Sequence, residues 1–449
     1  MSITLPSIPE DPKNYLSGEI EKTLRSTVSA TCKRCLDPKL AFTDSQYKQK
    51  SFVTTCEVLE TILIPMLIWG EDILPKGNDR RKVKQVIYQA LEFLIEKNDD
   101  FINEGNKLCP GDPYFSTRGT RKGSKPLPYT EANAFFISTI LHFLLCAEHF
   151  KDAPTKLSKD NLKTIANTAL SNLLEQFIDK RGKITGWSHT TSEINPGGQG
   201  EIYFTWSIIE TLVDIQYLRE IDFISNEVLG EKINDCFKKV TAAMEDYLYG
   251  GGKLTRPFIF THSIIRDKKL DIYNKCQAFI ILGLLQSERY SEMILTLITL
   301  VTNSNLISEI ANDEDYLVHY SLKTASTGGH VLDDESILPL IVRSIATVFD
   351  EYYDEKFLKA TEKAHLRNPW SYLVMKDRIE ELKKNQTPED LWGPEGEEYE
   401  IYYTERTVEA LASCYYYLTE SEKRPTMLKE SKDFENFRKE YKELDAQDE

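Results

Sequence analysis

The sequence predicts an all-helical fold in which about six helical hairpins form a closed ring, an (α/α)6 toroid. Three observations predict it: helical periodicity along the chain, an internal repeat of about 70 residues, and long polar loops before the more apolar helix of each pair. An open α-solenoid of helical pairs follows the same pattern and is the alternative. Residues 1–449 are expected to form a single domain that ends in a mobile acidic tail.

The repeat is clearest in two segments that each begin with glutamate. Residues 201–212 read EIYFTWSIIETL and residues 400–411 read EIYYTERTVEAL, so Glu, Ile, Tyr, Thr, Glu and Leu match in register. A further copy begins near Phe52, and Tyr129 and Tyr273 mark two more. The spacing from Gly182 to Gly252 equals that from Tyr203 to Tyr273, which favours a true period.

Each repeat consists of an amphipathic helix, a polar connection and a second, more apolar helix. The second helices are apolar nearly all round, which predicts an enclosed inner ring, whereas the first helices have one polar face and would form the outer wall. First helices are predicted at 18–36, 82–97, 161–178, 228–248, 290–303 and 356–383. Second helices are predicted at 52–68, 130–148, 203–218, 273–286, 336–349 and 402–418.

Composition excludes several classes of protein. The net charge of −16 disfavours bulk binding to nucleic acid, because phosphates would be repelled. The acidic start of the chain is unlike a secretory signal, and the longest apolar runs are shorter than the roughly 20 residues that cross a bilayer. Eight scattered cysteines do not form a disulfide framework. We therefore expect a cytoplasmic protein with no membrane contact.

In its helical pairs and loop placement the chain resembles the broad (α/α)6 toroid class. That class includes isoprenoid cyclases, protein prenyltransferase β chains, lanthionine synthetase-type cyclases and six-hairpin glycoside hydrolases. The resemblance implies a fold and a site at the rim of a central funnel, but no particular activity. The aspartate-rich signatures of the isoprenoid cyclases and the zinc ligands of the prenyltransferases and lanthionine cyclases have no match in this sequence.

The loop at 186–201 is the richest in functional side chains. Trp187, His189, Glu193 and Glu201 could form an aromatic platform beside a proton-transfer pair. In the alternative interpretation, Trp187 closes the top of the core and has no functional role.

A second loop, at 324–335, supplies a histidine and neighbouring carboxylates. His330, Asp333 and Asp334 could act as acid and base at the funnel. The alternative is that Asp333 or Asp334 caps the helix predicted at 336–349.

The inner helices carry ionisable residues at repeated positions. Glu60, Glu210 and Glu409 recur five residues after a repeated threonine, which favours a structural bond because a buried glutamate needs a partner. Ligand contact is expected nearer the rim, where an arginine could neutralise a carboxylate. The candidates there are Glu131, Glu405, Arg406, Tyr203 and Trp206.

One loop is densely basic and could hold a phosphate or an acidic surface; the alternative is a solvated loop. Its candidate anion-binding residues are Arg118, Arg121, Lys122 and Lys125. The single CxxC at Cys32 and Cys35 lacks the further ligands of a structural zinc site, so no metal is predicted. No nucleotide-binding or hydrolase motif occurs, and no cofactor is predicted.

Two functions remain open from the sequence. The first is a binding scaffold whose funnel rim holds a protein or a small-molecule ligand. The alternative is a carbohydrate-active hydrolase or lyase that uses the carboxylates and histidine of the rim loops.

Overall fold

The computed structural model describes most of the first 250 residues and a part near the end of the chain. The described residues are 12–37, 41–42, 51–111, 127–179, 185–191, 200–218, 224, 227–249, 278, 281–282, 284–285, 379–380, 382–384, 386–393 and 401–419. The predicted helices at 290–303 and 336–349, most of those at 273–286 and 356–383, and the acidic tail lie outside these ranges.

The described part is helical and contains isolated β-bridges but no strand, which confirms the all-α class. Its α-helices are α1 (Pro12–Leu36), α2 (Phe52–Trp69), α3 (Asn78–Asn103), α4 (Thr130–Leu145), α5 (Lys159–Leu174), α6 (Ile202–Leu218), α7 (Glu227–Tyr249) and α8 (Ile401–Thr419). Single 3-10 turns lie at Gly70–Ile73, Ala147–His149 and Thr155–Leu157.

Helices α2, α6, α7 and α8 match their predicted bounds to within one residue. Helices α4 and α5 end earlier than predicted. After α5, Ile178 forms an antiparallel bridge with Gly186, so the chain is already extended where the periodicity predicts helix. A β-branched isoleucine favours that extended backbone.

The more apolar helix of each described pair is the more deeply buried one. Helix α2 is buried from Phe52 to Met66, and α4 is buried at nearly every position. Helices α3 and α5 bury one face, as their amphipathic patterns predict. Helix α2 packs against α8 on one side and α4 on the other, and α6 follows beyond α4.

The first and last described helices are in contact. Helix α8 packs extensively against both α1 and α2. The Thr27 hydroxyl donates a hydrogen bond of 3.0 Å to the Asp390 carbonyl oxygen, and the rings of Trp69 and Tyr415 lie 4.7 Å apart. The small core between these helices includes Leu16, Ile20, Leu24, Ile64, Val408 and Leu411.

Within the described residues, the segment Phe52–Ile73 is long and apolar enough to cross a membrane by length and composition. The most apolar stretch of this segment is 83% buried inside the protein, as is typical of a helix in the core of a folded domain. It therefore gives only weak support to a membrane span.

Candidate functional site

A buried threonine lies in the first turn of each of the four more apolar helices described, α2, α4, α6 and α8, which are called the inner helices below. Thr205 and Thr404 are 0% exposed, and their hydroxyl oxygens accept the backbone N–H groups of Trp187 and Trp392 at 3.1 and 2.9 Å. The equivalent residues of α2 and α4 are Thr55 and Thr130. In α6 and α8 this hydrogen bond fixes the preceding loop to the start of the helix, whereas the hydroxyls of Thr55 and Thr130 donate to the carbonyl oxygens of Ser51 and Ser188.

The two tryptophans of these loops are also equivalent. Each indole N–H donates to a backbone carbonyl oxygen at 2.9 Å, Trp187 to Leu173 and Trp392 to Leu382. Trp187 is fully buried. These contacts are those expected if Trp187 closes the top of the core and has no functional role.

Gly186 lets the loop approach α6 closely. Its φ is +146°, and a Cβ built on it would lie 2.1 Å from Thr205 Oγ1. No L side chain fits this position without displacing the Trp–Thr contact.

The structure brings His189 and Glu201 together at the outer end of α6. His189 Nδ1 lies 3.0 Å from Glu201 Oε1, and both side chains are partly exposed. Burial would raise the pKa of Glu201, but hydrogen bonds from His189 and Ser188 lower it overall. The two side chains therefore lie within hydrogen-bond distance of each other, as a proton-transfer pair requires.

A larger ionic group, the Arg406 cluster, lies between the inner helices. It consists of Arg406 and the four carboxylates around it. The guanidinium lies 3.8 Å from Glu131 on α4 and 3.5 Å from Glu210 on α6. On α8 itself it lies 3.4 Å from Glu405 and 3.2 Å from Glu409. All five side chains are almost completely buried.

Aromatic rings surround the same guanidinium. Arg406 Cζ lies 4.6 Å from the ring centre of Trp206, 5.3 Å from that of Phe135 and 5.6 Å from that of Tyr402. Rings at these distances stabilise a desolvated cation through their negative faces. Tyr402 is half-buried and its hydroxyl bonds that of Tyr203 at 3.4 Å, so the two tyrosines form the more exposed side of the cluster.

A second ionic group, the His142 group, continues the first along the inner helices. His142 Nδ1 on α4 is hydrogen-bonded to Glu60 on α2, and its Nε2 lies 3.8 Å from Asp214 on α6. Burial would lower the pKa of His142, but Glu60, Asp214 and Glu409 outweigh it and raise the pKa to about 9. The imidazole is therefore cationic at neutral pH.

Carboxyl groups outnumber cations in these two groups. Six carboxyls (Glu60, Glu131, Glu210, Asp214, Glu405 and Glu409) surround one guanidinium and one imidazolium. Burial raises the pKa of Glu405, the charge of Arg406 lowers it, and the neighbouring carboxylates raise it again; the pKa ends well above its usual value, which favours the protonated form. A carboxyl held in this way can donate a proton, which an ionised carboxylate cannot.

The sequence identifies much of this arrangement. Arg406 lies within ion-pair distance of both Glu131 and Glu405, and Glu60, Glu210 and Glu409 all have ionic partners. Glu131 lies in the first turn of α4 and Glu405 directly after the first turn of α8, but both are buried instead of open to solvent.

His142 and Asp214 are absent from the sequence-based candidates because neither occurs at a repeated position. The available signal was local. His142 is the one ionisable side chain in the apolar run FFISTILHFLL, and Asp214 follows Glu210 in the largely apolar run IIETLVDI. A buried charge in such a run requires a partner.

The remaining candidates lie outside the described residues. They are Glu193, His330, Asp333, Asp334, Arg118, Arg121, Lys122 and Lys125. Among the residues that are described, no group of three or more His, Cys, Asp or Glu side chains could hold a metal ion.

No protein-family model matches this chain, and no curated protein matches it by sequence.

Proposed function

We propose that the chain closes into a ring of helical hairpins and binds a small polar molecule between the inner helices, beside the Arg406 cluster. Support for closure comes from the contacts of α8 with α1 and α2. In an open solenoid, each repeat contacts only its neighbours along the chain. Contacts between the first and last described helices are what a closed ring requires.

The composition of the Arg406 cluster supports the binding role. Removing charges from water costs several kcal/mol each, and a buried ion pair contributes little net stability even when its geometry is good. Here one guanidinium on α8 meets carboxylates of α4, α6 and α8, with Trp206 against its face. An arrangement this costly for the fold is typical of a binding site, where polar groups are positioned for a ligand.

The binding role is tested by the molecules that the protein retains. Chain purified without denaturant is expected to carry a small molecule that native mass spectrometry detects and that denaturation releases. Glu131→Gln and Glu405→Gln keep side-chain size and should reduce the amount retained, whereas Glu21→Gln, which changes a carboxylate paired with Arg25 on the surface, should not. Equal ligand content in all four proteins would reject a site at the Arg406 cluster. No retained molecule in any of them, together with no binding of any small polar probe, would reject the binding role.

Closure is tested separately by removing residues 401–449. In a closed ring this removal exposes the apolar faces of α1 and α2, so the rest of the chain should lose its cooperative thermal unfolding. In an open solenoid the remaining repeats should stay folded, with a modestly lower Tm. Survival of a cooperative transition would therefore favour the solenoid.

A carbohydrate-active hydrolase or lyase is the second candidate function, and one observation favours it. Glu405 has a raised pKa beside the other carboxylates of the cluster, and a pair of unequal carboxyl groups is the usual machinery of glycoside cleavage. Hydrolysis of aryl glycosides that is lost in Glu405→Gln, with folding intact, would favour the enzyme. Activity that persists in that variant would exclude Glu405 as its acid.

A further inference from the structure

Five buried polar atoms around Arg406 and His142 have no hydrogen-bond partner among the described residues. The donors are Trp206 Nε1, Arg406 Nε and Arg406 Nη2, and the acceptors are Glu60 Oε1 and Glu405 Oε2. Arg406 Nε and Glu405 Oε2 lie 3.4 Å apart as an ion pair without hydrogen-bond geometry. Leaving one buried polar atom unpaired costs about 1–3 kcal/mol, so native proteins rarely leave several together.

Trp206 is the most informative of these residues. It is 1% exposed, and its ring contacts Arg406, yet its indole N–H lacks the carbonyl partner that Trp187 and Trp392 both have. A buried indole N–H usually finds a partner. We therefore expect a bound molecule to supply an oxygen atom that accepts the hydrogen bond from the indole N–H of Trp206.

The unpaired acceptors indicate the sign of that molecule. Glu60 Oε1 and Glu405 Oε2 belong to carboxyl groups that need donors, so a cationic donor suits them, whereas an anion would be repelled by the neighbouring carboxylates. The rings of Trp206, Phe135 and Tyr402 also favour a cation over an anion at this place.

Building on the binding role proposed above, we infer that the ligand is an organic ammonium ion that also carries a hydroxyl or carbonyl oxygen. Its ammonium group donates to the unpaired oxygens of Glu60 and Glu405. Its own oxygen accepts from the indole N–H of Trp206 and from the guanidinium of Arg406. Amino alcohols and amino sugars have this chemistry.

Matched probes test the ammonium requirement. Glucosamine and ethanolamine differ from glucose and ethylene glycol chiefly by the amine. Isothermal titration calorimetry of the full-length chain, freed of retained ligand by unfolding, dialysis and refolding, should show binding of at least one amine and at least tenfold weaker binding of its neutral counterpart. Small molecules released by denaturation should react with an amine-labelling reagent.

Two tryptophan variants locate the site. Trp206→Phe keeps an aromatic ring for Arg406 but removes the N–H, and should weaken amine binding by about tenfold, equivalent to about 1.4 kcal/mol. Trp392→Phe removes an indole N–H that is satisfied by Leu382, so it should lower stability without changing affinity. Circular dichroism spectra verify that both variants fold.

The possible failures separate this inference from the binding role itself. Equal binding of neutral and amine probes, or release of a ligand without an amine, would overturn the ammonium assignment while the binding role stands. Equal effects of the two tryptophan substitutions on affinity would overturn the placement. Absence of any retained molecule together with no binding of any probe would overturn both.

Discussion

The centre of the Trp206 indole ring on α6 lies 4.6 Å from the guanidinium carbon of Arg406 on α8. The two residues are 200 positions apart in the sequence but are in contact where α6 and α8 face each other. The indole ring covers one face of the guanidinium, and carboxyl groups form ion pairs with its N–H groups. Much of the behaviour expected of this protein follows from that one buried cation.

Arg406→Met is expected to destabilise the protein by about 3–5 kcal/mol, because it leaves several buried carboxylates without their cation. Chemical denaturation measures this loss. Arg25→Met is the matched control, since Arg25 pairs with Glu21 at 2.7 Å and lies over Trp69 at 5.2 Å, but is 38% exposed. That control should cost no more than about 1 kcal/mol. Similar losses in the two variants would show that the Arg406 cluster contributes little to folding.

Stability is expected to decrease as the pH rises through about 9. The pKa of His142 is raised to about 9 in the folded protein, so the stabilisation from its charged form is complete below its ordinary value near 6.5 and is lost as the pH passes the folded pKa. The slope should approach about 1.4 kcal/mol per pH unit between these values.

The carboxylates that face His142 are Glu60 on α2, Asp214 on α6 and Glu409 on α8. His142→Asn removes the titrating group, and the difference in unfolding free energy between wild type and variant should therefore shrink across this range. A difference that is constant from pH 6.5 to 9 would show that the imidazole is not the group responsible.

Gly186→Ala is expected to destabilise the protein by about 2–4 kcal/mol, because the new Cβ overlaps Thr205 and the φ is unfavourable for alanine. Gly77→Ala is the control. Gly77 has a φ of +70° but no atom within 4 Å of a built Cβ, so only the backbone cost of about 1–2 kcal/mol applies. If thermal unfolding gives equal losses, the contact with Thr205 is not tight.

Trp187→Phe and Trp392→Phe should lower stability by similar amounts, each about 1 kcal/mol, because each removes the hydrogen bond from a buried indole N–H to a leucine carbonyl oxygen. Urea denaturation compares them. Similar losses of unfolding free energy in the two variants would show that the two indole hydrogen bonds contribute equally to stability, as their equal geometry suggests. A neutral result at either position would contradict it.

The helices and their burial could be predicted because the signals are local and repeated. A threonine that recurs at 205 and 404 marks the same hydrogen bond in each unit, and helical periodicity gives the bounds of α2, α6, α7 and α8. Partners across helices could not be predicted in the same way. Glu60 contacts His142 because of how far α2 is shifted along its axis relative to α4, and residue spacing within the sequence does not predict that shift.

The hydrogen bond from Thr27 to Asp390 spans 363 residues of chain. During synthesis, α1 emerges from the ribosome long before the segment that covers its apolar face. The nascent chain therefore exposes Leu16, Ile20 and Leu24 until the final portion has been translated. Such exposure is the usual condition for chaperone binding, so premature termination is expected to yield an aggregating product instead of a smaller folded protein.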